Sequence, residues 1–149
     1  MRKTVLITNK KQTGFTLIEV MAVVVILGLL VTLVVPKVLG QQEKAQIQKA
    51  KIDINMLSSA LTMYKLDNYN FPSTSQGLEA LVNKPSGTPA APNWRSGYVS
   101  RLPKDPWGNP YLYLAPGSKS QDYDVWSYGA DGKRGGTGPA EDIGNWNIE

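Results

Sequence analysis

The hydrophobic pattern of the chain begins with one long apolar run, which extends for 21 residues from Phe15 to Val35. The residues in it that depart from apolar character are Thr16, Glu19, Gly28 and Thr32. As an α-helix the run would be about 30 Å long, enough to cross the hydrocarbon core of a bilayer. The pattern therefore predicts a membrane-spanning helix over residues 15–35. A cleaved signal peptide is the alternative, but its apolar core usually has about 7 to 15 residues, and no A-x-A-like site follows this run.

After the apolar run, the chain is polar but keeps a helical period. Apolar residues recur there at alternating intervals of three and four: Ile47, Ala50, Ile54, Leu57, Leu61 and Tyr64. This spacing forms one face of an amphipathic helix, and no turn cluster interrupts residues 41–66. We therefore predict a single helix from Phe15 to Leu66, about 75 Å long. Pro36 lacks a backbone N–H, which predicts a kink or a locally melted turn at that point.

The rest of the chain has the pattern of a small mixed domain. Residues 67–72 end the helix, residues 75–82 predict a short second helix, and residues 83–110 form a loop rich in turn residues. The loop carries large side chains that predict anchors to a core: Trp94, Tyr98, Leu102 and Trp107.

Two segments near the C-terminus, 111–114 and 123–128, alternate like short β-strands around a turn at Pro116–Gly117. The apolar stripe of the long helix needs a cover, which a sheet would supply. The predicted fold class is therefore α+β, with a long N-terminal helix packed on a small antiparallel sheet of about three strands.

The composition excludes most catalytic equipment. The 149 residues contain no His and no Cys, which removes thiol nucleophiles, Ser-His-Asp triads, imidazole bases and the usual zinc ligand sets. Asp105 and Asp124 are a conceivable pair of catalytic carboxylates, but no partner motif accompanies them. A phosphate-binding G-x-x-x-x-G-K-[ST] motif is also missing. We predict that the protein is not an enzyme.

The formal net charge of +4 comes entirely from residues 1–14, a basic leader with four basic residues and no acid. The other residues carry 12 basic and 12 acidic side chains, so a nucleic-acid partner is not expected. Basic residues also follow the apolar run, at Lys37, Lys44 and Lys49. The positive-inside bias therefore favours a cytoplasmic N-terminus and an exported C-terminal part only slightly.

Glu19 is the anomaly of the apolar run, because an ionised carboxylate in hydrocarbon costs at least about 2.5 kcal/mol. One interpretation is that Glu19, near the start of the run, reaches the membrane interface. The other is that cleavage between Gly14 and Phe15 creates an α-amine on Phe15, which neutralises Glu19 of a neighbouring subunit.

The basic leader followed by Gly14, Phe15, Thr16, Leu17, Ile18 and Glu19 resembles the class III signal of type IV pilins and pseudopilins. The resemblance implies that prepilin peptidase removes residues 1–14, that Phe15 is N-methylated, and that Glu19 acts in assembly. Residues 15–35 would form the filament core and residues 36–149 a periplasmic domain, in which 36–66 is helical and 67–149 forms loops and sheet.

The segment from Ser127 to Trp146 contains five glycines before Asp142 and no hydrophobic run. Such a loop needs something to order it, and carboxylates with backbone carbonyls form a hard-oxygen site suited to Ca²⁺. The spacing of Asp131 and Asp142 is not that of an EF-hand. From spacing alone, ordinary Asp-Gly turn chemistry remains the alternative.

Several segments are together similar to the major pseudopilin family of the type II secretion system, general secretion pathway protein G. They are Gln76–Glu79, Leu102–Tyr111, Gly129–Gly132 and Asp142–Trp146. The resemblance implies a C-terminal calcium loop in which Asp131 and Asp142 are side-chain ligands, with backbone carbonyls near Tyr128 and Lys133.

The same resemblance implies a structural subunit in the inner membrane of a Gram-negative bacterium, with one membrane pass and a periplasmic domain. Implied partners are further copies of the chain, minor pseudopilins, prepilin peptidase, an inner-membrane platform, a secretion ATPase and an outer-membrane secretin. Two alternatives remain: a type IV pilin for adhesion or motility, and an unprocessed bitopic anchor of a periplasmic binding domain.

Overall fold

The computed structural model describes residues 14–148, apart from the side chains of residues 32–39. Helix α1 spans Leu17–Asn68, and strands β1, β2 and β3 span Leu112–Leu114, Asp124–Ser127 and Ile143–Gly144. Three short 3₁₀-helices complete the regular structure, at Leu78–Leu81, Gly129–Asp131 and Gly138–Ala140. The chain divides into two compact units between Leu39 and Gly40. Each unit is described separately.

Helix α1 has 52 residues, and the predicted helix from Phe15 to Leu66 is confirmed to within two residues at each end. The backbone is helical at every position from Leu17 to Asn68, Pro36 included, so the melted turn predicted there is wrong. A proline removes one N–H donor, but the neighbouring turns keep their own hydrogen bonds. The kink at Pro36 stays a prediction.

The helix ends because the backbone of Tyr69 adopts a left-handed conformation, with a φ of +67°. Its N–H donates to the carbonyl of Lys65 at 2.7 Å, and so closes the last turn. The side-chain amide of Asn68, one residue earlier, donates to the carbonyl of Tyr64 at 3.1 Å and to the phenol oxygen of Tyr98 at 3.0 Å. The end of α1 is thereby fastened to the loop that follows.

In the described residues, no helix is both long enough and apolar enough to cross a membrane. The predicted span, 15–35, includes four residues whose side chains lie outside the described part. The predicted leader lies outside it as well, except for Gly14.

The core lies in the second unit and is built on the predicted stripe of α1. The stripe residues Ala50, Ile54, Leu57, Leu61 and Tyr64 are at most 1% exposed, and Ile47 is partly buried against them. Side chains from other segments complete the core: Leu78, Leu81, Tyr111, Val125 and Ile143. The four predicted loop anchors pack against this cluster, so that prediction is confirmed.

The sheet is antiparallel, with the order β1-β2-β3. Tyr113 pairs with Val125, and Trp126 pairs with Gly144. The two predicted strands are confirmed. The third strand has only two residues and follows the glycine-rich segment, so no alternation marked its position.

The predicted second helix, 75–82, is too long. The structure has a single 3₁₀ turn at Leu78–Leu81, preceded by Gly77 with a φ of +60°. That backbone conformation is outside the helical region, so a helix cannot begin at Ser75. The side chain of Gln76 instead accepts a 2.9 Å hydrogen bond from the N–H of Ser73, which closes a turn.

Candidate functional site

In the first unit, the described large apolar side chains of α1 are exposed. From Phe15 to Val31, the large apolar side chains are between 51% and 86% exposed. Burial of a single leucine or valine side chain is worth about 1.5 to 3 kcal/mol, so a row of them carries a strong drive to find an apolar partner. The first half of α1 is therefore a surface for lipid or for other helices.

Glu19 is bonded to its own helix terminus. Its carboxylate oxygen Oε2 accepts from the backbone N–H of Thr16 at 2.8 Å and from the Thr16 hydroxyl at 3.0 Å. The N–H of Glu19 in turn donates to Thr16 Oγ1 at 3.3 Å. This reciprocal arrangement is a capping box, which satisfies donors that a helix start leaves free. The T-x-x-E spacing was a signal for it that the sequence interpretation did not use.

Among the described residues, no Lys or Arg lies within salt-bridge distance of Glu19. Gly14 is exposed, with nothing described within 4 Å of the position of a Cβ, and Phe15 is 86% exposed. A peptide bond between these two residues is therefore accessible in the geometry described here. The roles of Gly14, Phe15 and Glu19 in cleavage, methylation and assembly stay predictions.

The loop between β2 and β3 folds back on itself at Gly129. Gly129 has a φ of +69°, and a Cβ there would lie 2.8 Å from the carbonyl oxygens of Pro139 and Glu141. A second close approach occurs where a Cβ on Gly136 would overlap the carbonyl of Ala140. Only glycine permits both the positive φ and the contact. The loop thus has two limbs that lie against each other. The first limb is residues 129–131, which ends in Asp131, and the second is residues 136–141, which leads to Asp142.

The two predicted carboxylate ligands keep most of their acceptor capacity. Asp131 is exposed, and its Oδ1 accepts from the N–H of Lys133 at 3.0 Å. Asp142 is half-buried, and both of its oxygens share the N–H of Gly135 at 3.0 Å. Neither forms an ion pair with a Lys or Arg among the residues described. A carboxylate has about four lone-pair sites, so each retains room for a cation.

This donor set fits Ca²⁺, which takes carboxylate and carbonyl oxygens in flexible geometry. Tyr128 precedes the 3₁₀ turn of Asp131 with φ −83° and ψ 14°, and Lys133 follows it. Within the described part of the chain, no cluster of three or more acidic, His or Cys side chains is present. A metal would therefore depend on backbone carbonyls for the rest of its ligands.

Two buried carboxylates beneath the loop are structural. Asp124 is 1% exposed, and it accepts from the N–H groups of Ser118, Lys119 and Ser120 and from the Ser118 hydroxyl at 2.6 to 2.9 Å. Burial acts to raise the pKa of Asp124, but these four hydrogen bonds outweigh it and lower the pKa below its ordinary value. Asp105 is 4% exposed and is likewise held by hydrogen bonds to its own loop and to Ser127. Both carboxylates are buried, so neither has the open access that a catalytic acid requires.

An uncovered apolar half-helix, followed by an amphipathic half packed on a three-stranded antiparallel sheet, defines a pilin-like protein. The family model described as "Type II secretion system (T2SS), protein G" matches residues 37–146, and this chain belongs to that family. A second model, "Prokaryotic N-terminal methylation motif", matches residues 9–35.

Proteins named type II secretion system core protein G match this chain over nearly their whole length. The chain is 58% identical to the type II secretion system core protein G of Pseudomonas aeruginosa, over 93% of this chain and 97% of that protein. It is 61% identical to the Vibrio cholerae protein of that name, over 94% and 95%. The crystal structure of the major pseudopilin of enterohaemorrhagic Escherichia coli matches with a TM-score of 0.65 and 48% identity. That match covers 76% of this chain and 96% of the solved one.

Proposed function

We propose that this protein is the major structural subunit of a type II secretion pseudopilus, a helical filament that drives folded periplasmic proteins through an outer-membrane secretin. The observation that carries the proposal is the uncovered apolar surface from Phe15 to Val31, attached to a unit that already has its own core. The same surface can leave lipid only if other copies of it provide cover. Family membership and the matches to major pseudopilins support this function.

The subunit is first a single-pass protein of the inner membrane, with its C-terminal unit in the periplasm. Prepilin peptidase cleaves after Gly14 and Phe15 is N-methylated, in line with the methylation motif over residues 9–35. Subunits then leave the membrane and join the filament through the apolar segment that begins at Phe15.

Glu19 pairs with the α-amine of Phe15 in a neighbouring subunit. The capping box supports this step, since its bonds from Thr16 reach only Oε2. Oxygen Oε1 has no partner in the described part of the chain and is available to the amine. Such a pair contributes register more than stability, because it penalises subunits that join out of step.

The C-terminal loop binds Ca²⁺ through the side chains of Asp131 and Asp142 and through backbone carbonyls near Tyr128 and Lys133. When bound, the ion supplies one positive centre that joins the two limbs of the loop. The chain's own contribution is the close approach at Gly129, which brings those limbs together.

The assembly context is the type II secretion system, and the partners follow from it. They are further copies of this chain, minor pseudopilins, prepilin peptidase, the inner-membrane platform and the secretin. Energy comes from the secretion ATPase, because the sequence has no phosphate-binding motif of its own. The protein itself is not an enzyme.

The test is the intact mass of the protein from its native membrane, compared with the protein from cells that lack prepilin peptidase. We expect loss of residues 1–14 and the gain of one methyl group, in peptidase-positive cells only. A full-length, unmethylated chain from those cells would support the bitopic anchor instead. Complementation of a strain that lacks the gene, scored for secretion and for twitching, then separates a pseudopilin from a type IV pilin.

A further inference from the structure

We propose that Asp105 and Ser127 are a positioning pair, which sets the direction of the Tyr128 carbonyl and so prepares the loop 129–142 to bind calcium. The inference rests on the proposed calcium binding. It concerns two buried side chains that neither bind the ion nor belong to the loop.

Asp105 is held in position because both of its carboxylate oxygens accept hydrogen bonds. Oδ1 accepts from the N–H of Trp107 at 3.1 Å and from the N–H of Asn109 at 2.7 Å, which closes the turn at residues 105–109. Oδ2 accepts from the hydroxyl of Ser127 at 2.6 Å. The carboxylate is 4% exposed and forms no ion pair within the described chain. These three donors therefore hold its charge in place.

Ser127 transfers that fixed position to the loop. It is the last residue of β2, is 1% exposed, and donates its only hydroxyl proton to Asp105. The hydroxyl oxygen then accepts from the N–H of Gly129 at 3.1 Å. Because the proton is already committed, the lone pairs of the oxygen face the loop.

The bond at Gly129 also determines the orientation of the Tyr128 carbonyl. The N–H of Gly129 and the C=O of Tyr128 belong to one planar trans peptide, in which the two groups point in opposite directions. With the N–H held towards Ser127, the carbonyl of Tyr128 is directed away from Ser127. That carbonyl is one of the proposed calcium ligands.

Gly129 is also closely packed. A Cβ there would lie 2.8 Å from the carbonyl oxygens of Pro139 and Glu141, so little space is left around this residue. Asn109, whose N–H is bound to Asp105, also places its side-chain amide 3.9 Å from the position of a Cβ on Gly132. Besides its bond to Ser127, the 105–109 turn therefore also lies close to Gly132, the residue after the 3₁₀ helix 129–131.

The test is a calorimetric titration of the processed protein, residues 15–149, in detergent with CaCl₂. In Ser127→Ala, the peptide loses its acceptor, and we expect the Kd for Ca²⁺ to rise about ten-fold or more, as for other groups that orient metal ligands. Tyr98→Phe is the matched control. It removes hydrogen bonds to Asp67 and Asn68 at the end of α1, and we expect it to lower the melting temperature while leaving the Kd unchanged.

Asp105→Asn keeps an oxygen for Trp107 and Asn109 but presents an N–H to Ser127, so we expect a smaller rise in Kd. If Ser127→Ala is unfolded in chelator, the Kd of Asp105→Asn for Ca²⁺ tests the positioning pair instead. Wild-type Kd values in folded variants would overturn the positioning pair while leaving calcium binding intact. A wild-type protein that binds no Ca²⁺ would overturn calcium binding itself, and the positioning pair with it.

Discussion

The phenol O–H of Tyr111 donates a 3.0 Å hydrogen bond to Oδ2 of Asp53, which joins the residue before β1 to the second half of α1. Asp53 also pairs with Lys49 one turn earlier on the helix. Tyr111 is 7% exposed, so its hydroxyl needs a buried acceptor. This bond is a polar link between the helix and the residue that precedes the sheet.

The first prediction concerns alkaline pH. Burial, followed by the bond to Asp53, raises the pKa of Tyr111 above its ordinary value of 10.0. Burial and the bond to Asp67 raise the pKa of Tyr98 to about 12. A raised pKa contributes stability that is complete below the unfolded pKa and is lost as the pH rises through the folded one. The free energy of unfolding, measured by urea titration, should therefore fall as the pH rises above about 10.

Tyr111→Phe should cost about 1 kcal/mol at neutral pH and make the alkaline decline shallower. Tyr69→Phe, at a side chain that is 78% exposed, is the control and should leave the profile unchanged. An equally steep decline in Tyr111→Phe would contradict the role of the buried phenol.

The second prediction concerns acid. The lowered pKa of Asp124 contributes stability that is present above the unfolded value of 3.8 and is lost as the pH falls below it. Asp124→Asn replaces one acceptor oxygen with a donor, and should lose about 1 to 3 kcal/mol at neutral pH with a shallower acid limb. Asp122→Asn is the control, because its side chain is 60% exposed and only approaches Lys65 at 3.6 Å. Parallel acid limbs in both variants would count against the prediction.

The third prediction is the effect of calcium removal. An ion that binds only the folded state, at 100 times its Kd, adds about 2.7 kcal/mol of stability. The melting temperature should therefore be higher in calcium than in chelator, and Asp131→Ala and Asp142→Ala should each abolish the difference. Asp122→Ala should retain it. Identical melting of the wild type under both conditions would refute calcium binding.

The fourth prediction separates backbone strain from contact within the loop. Gly129→Ala introduces a Cβ at a φ of +69° and against the carbonyls of Pro139 and Glu141, whereas a Cβ in Gly132→Ala, at a φ of +63°, meets only the Asn109 amide at an ordinary contact distance of 3.9 Å. Both carry the strain of a left-handed residue, but only the first meets a clash. The free energy of unfolding of Gly129→Ala should therefore be lower than that of Gly132→Ala by about 1 kcal/mol or more. Equal losses in urea unfolding would show that the limbs do not touch.

The fifth prediction uses two substitutions of Glu19. Glu19→Leu removes both the capping box and the charge, whereas Glu19→Gln keeps an oxygen for the Thr16 donors but cannot neutralise an amine. If pairing with Phe15 of a neighbour sets the register, both variants should fail in filament assembly and in secretion. Normal filaments with Gln and none with Leu would assign Glu19 to the cap alone. Normal secretion by Glu19→Leu would favour a membrane anchor.

Long periodic patterns were the easiest features to predict from the sequence. The stripe from Ile47 to Tyr64 repeats over five turns, so both the helix and its buried face were predictable, and the two longer strands followed from alternation. Features set by a single backbone angle were harder. Gly77 shortened the second helix, and the pattern does not reveal whether a glycine adopts a positive φ.

The contacts around the C-terminal loop were beyond the sequence for a different reason. Strand β3 exists only because β2 pairs with it across the loop, and the bond from Ser127 to Asp105 joins residues 22 positions apart. No local spacing marks either one. The sequence identified Asp131 and Asp142 as candidates, but it gave no indication of the buried support beneath them.

The confinement of the core to the second unit has a consequence for genetics. Substitutions at buried positions such as Leu57 or Val125 unfold a subunit, and proteases would degrade it before it could assemble. Substitutions from Phe15 to Val31 remove no core contact, and would leave intact subunits that accumulate without joining. Loss-of-function alleles should therefore sort into two groups on an immunoblot, one with little protein and one with a normal amount. Only the second group could be dominant, since only those subunits survive to compete with the wild type.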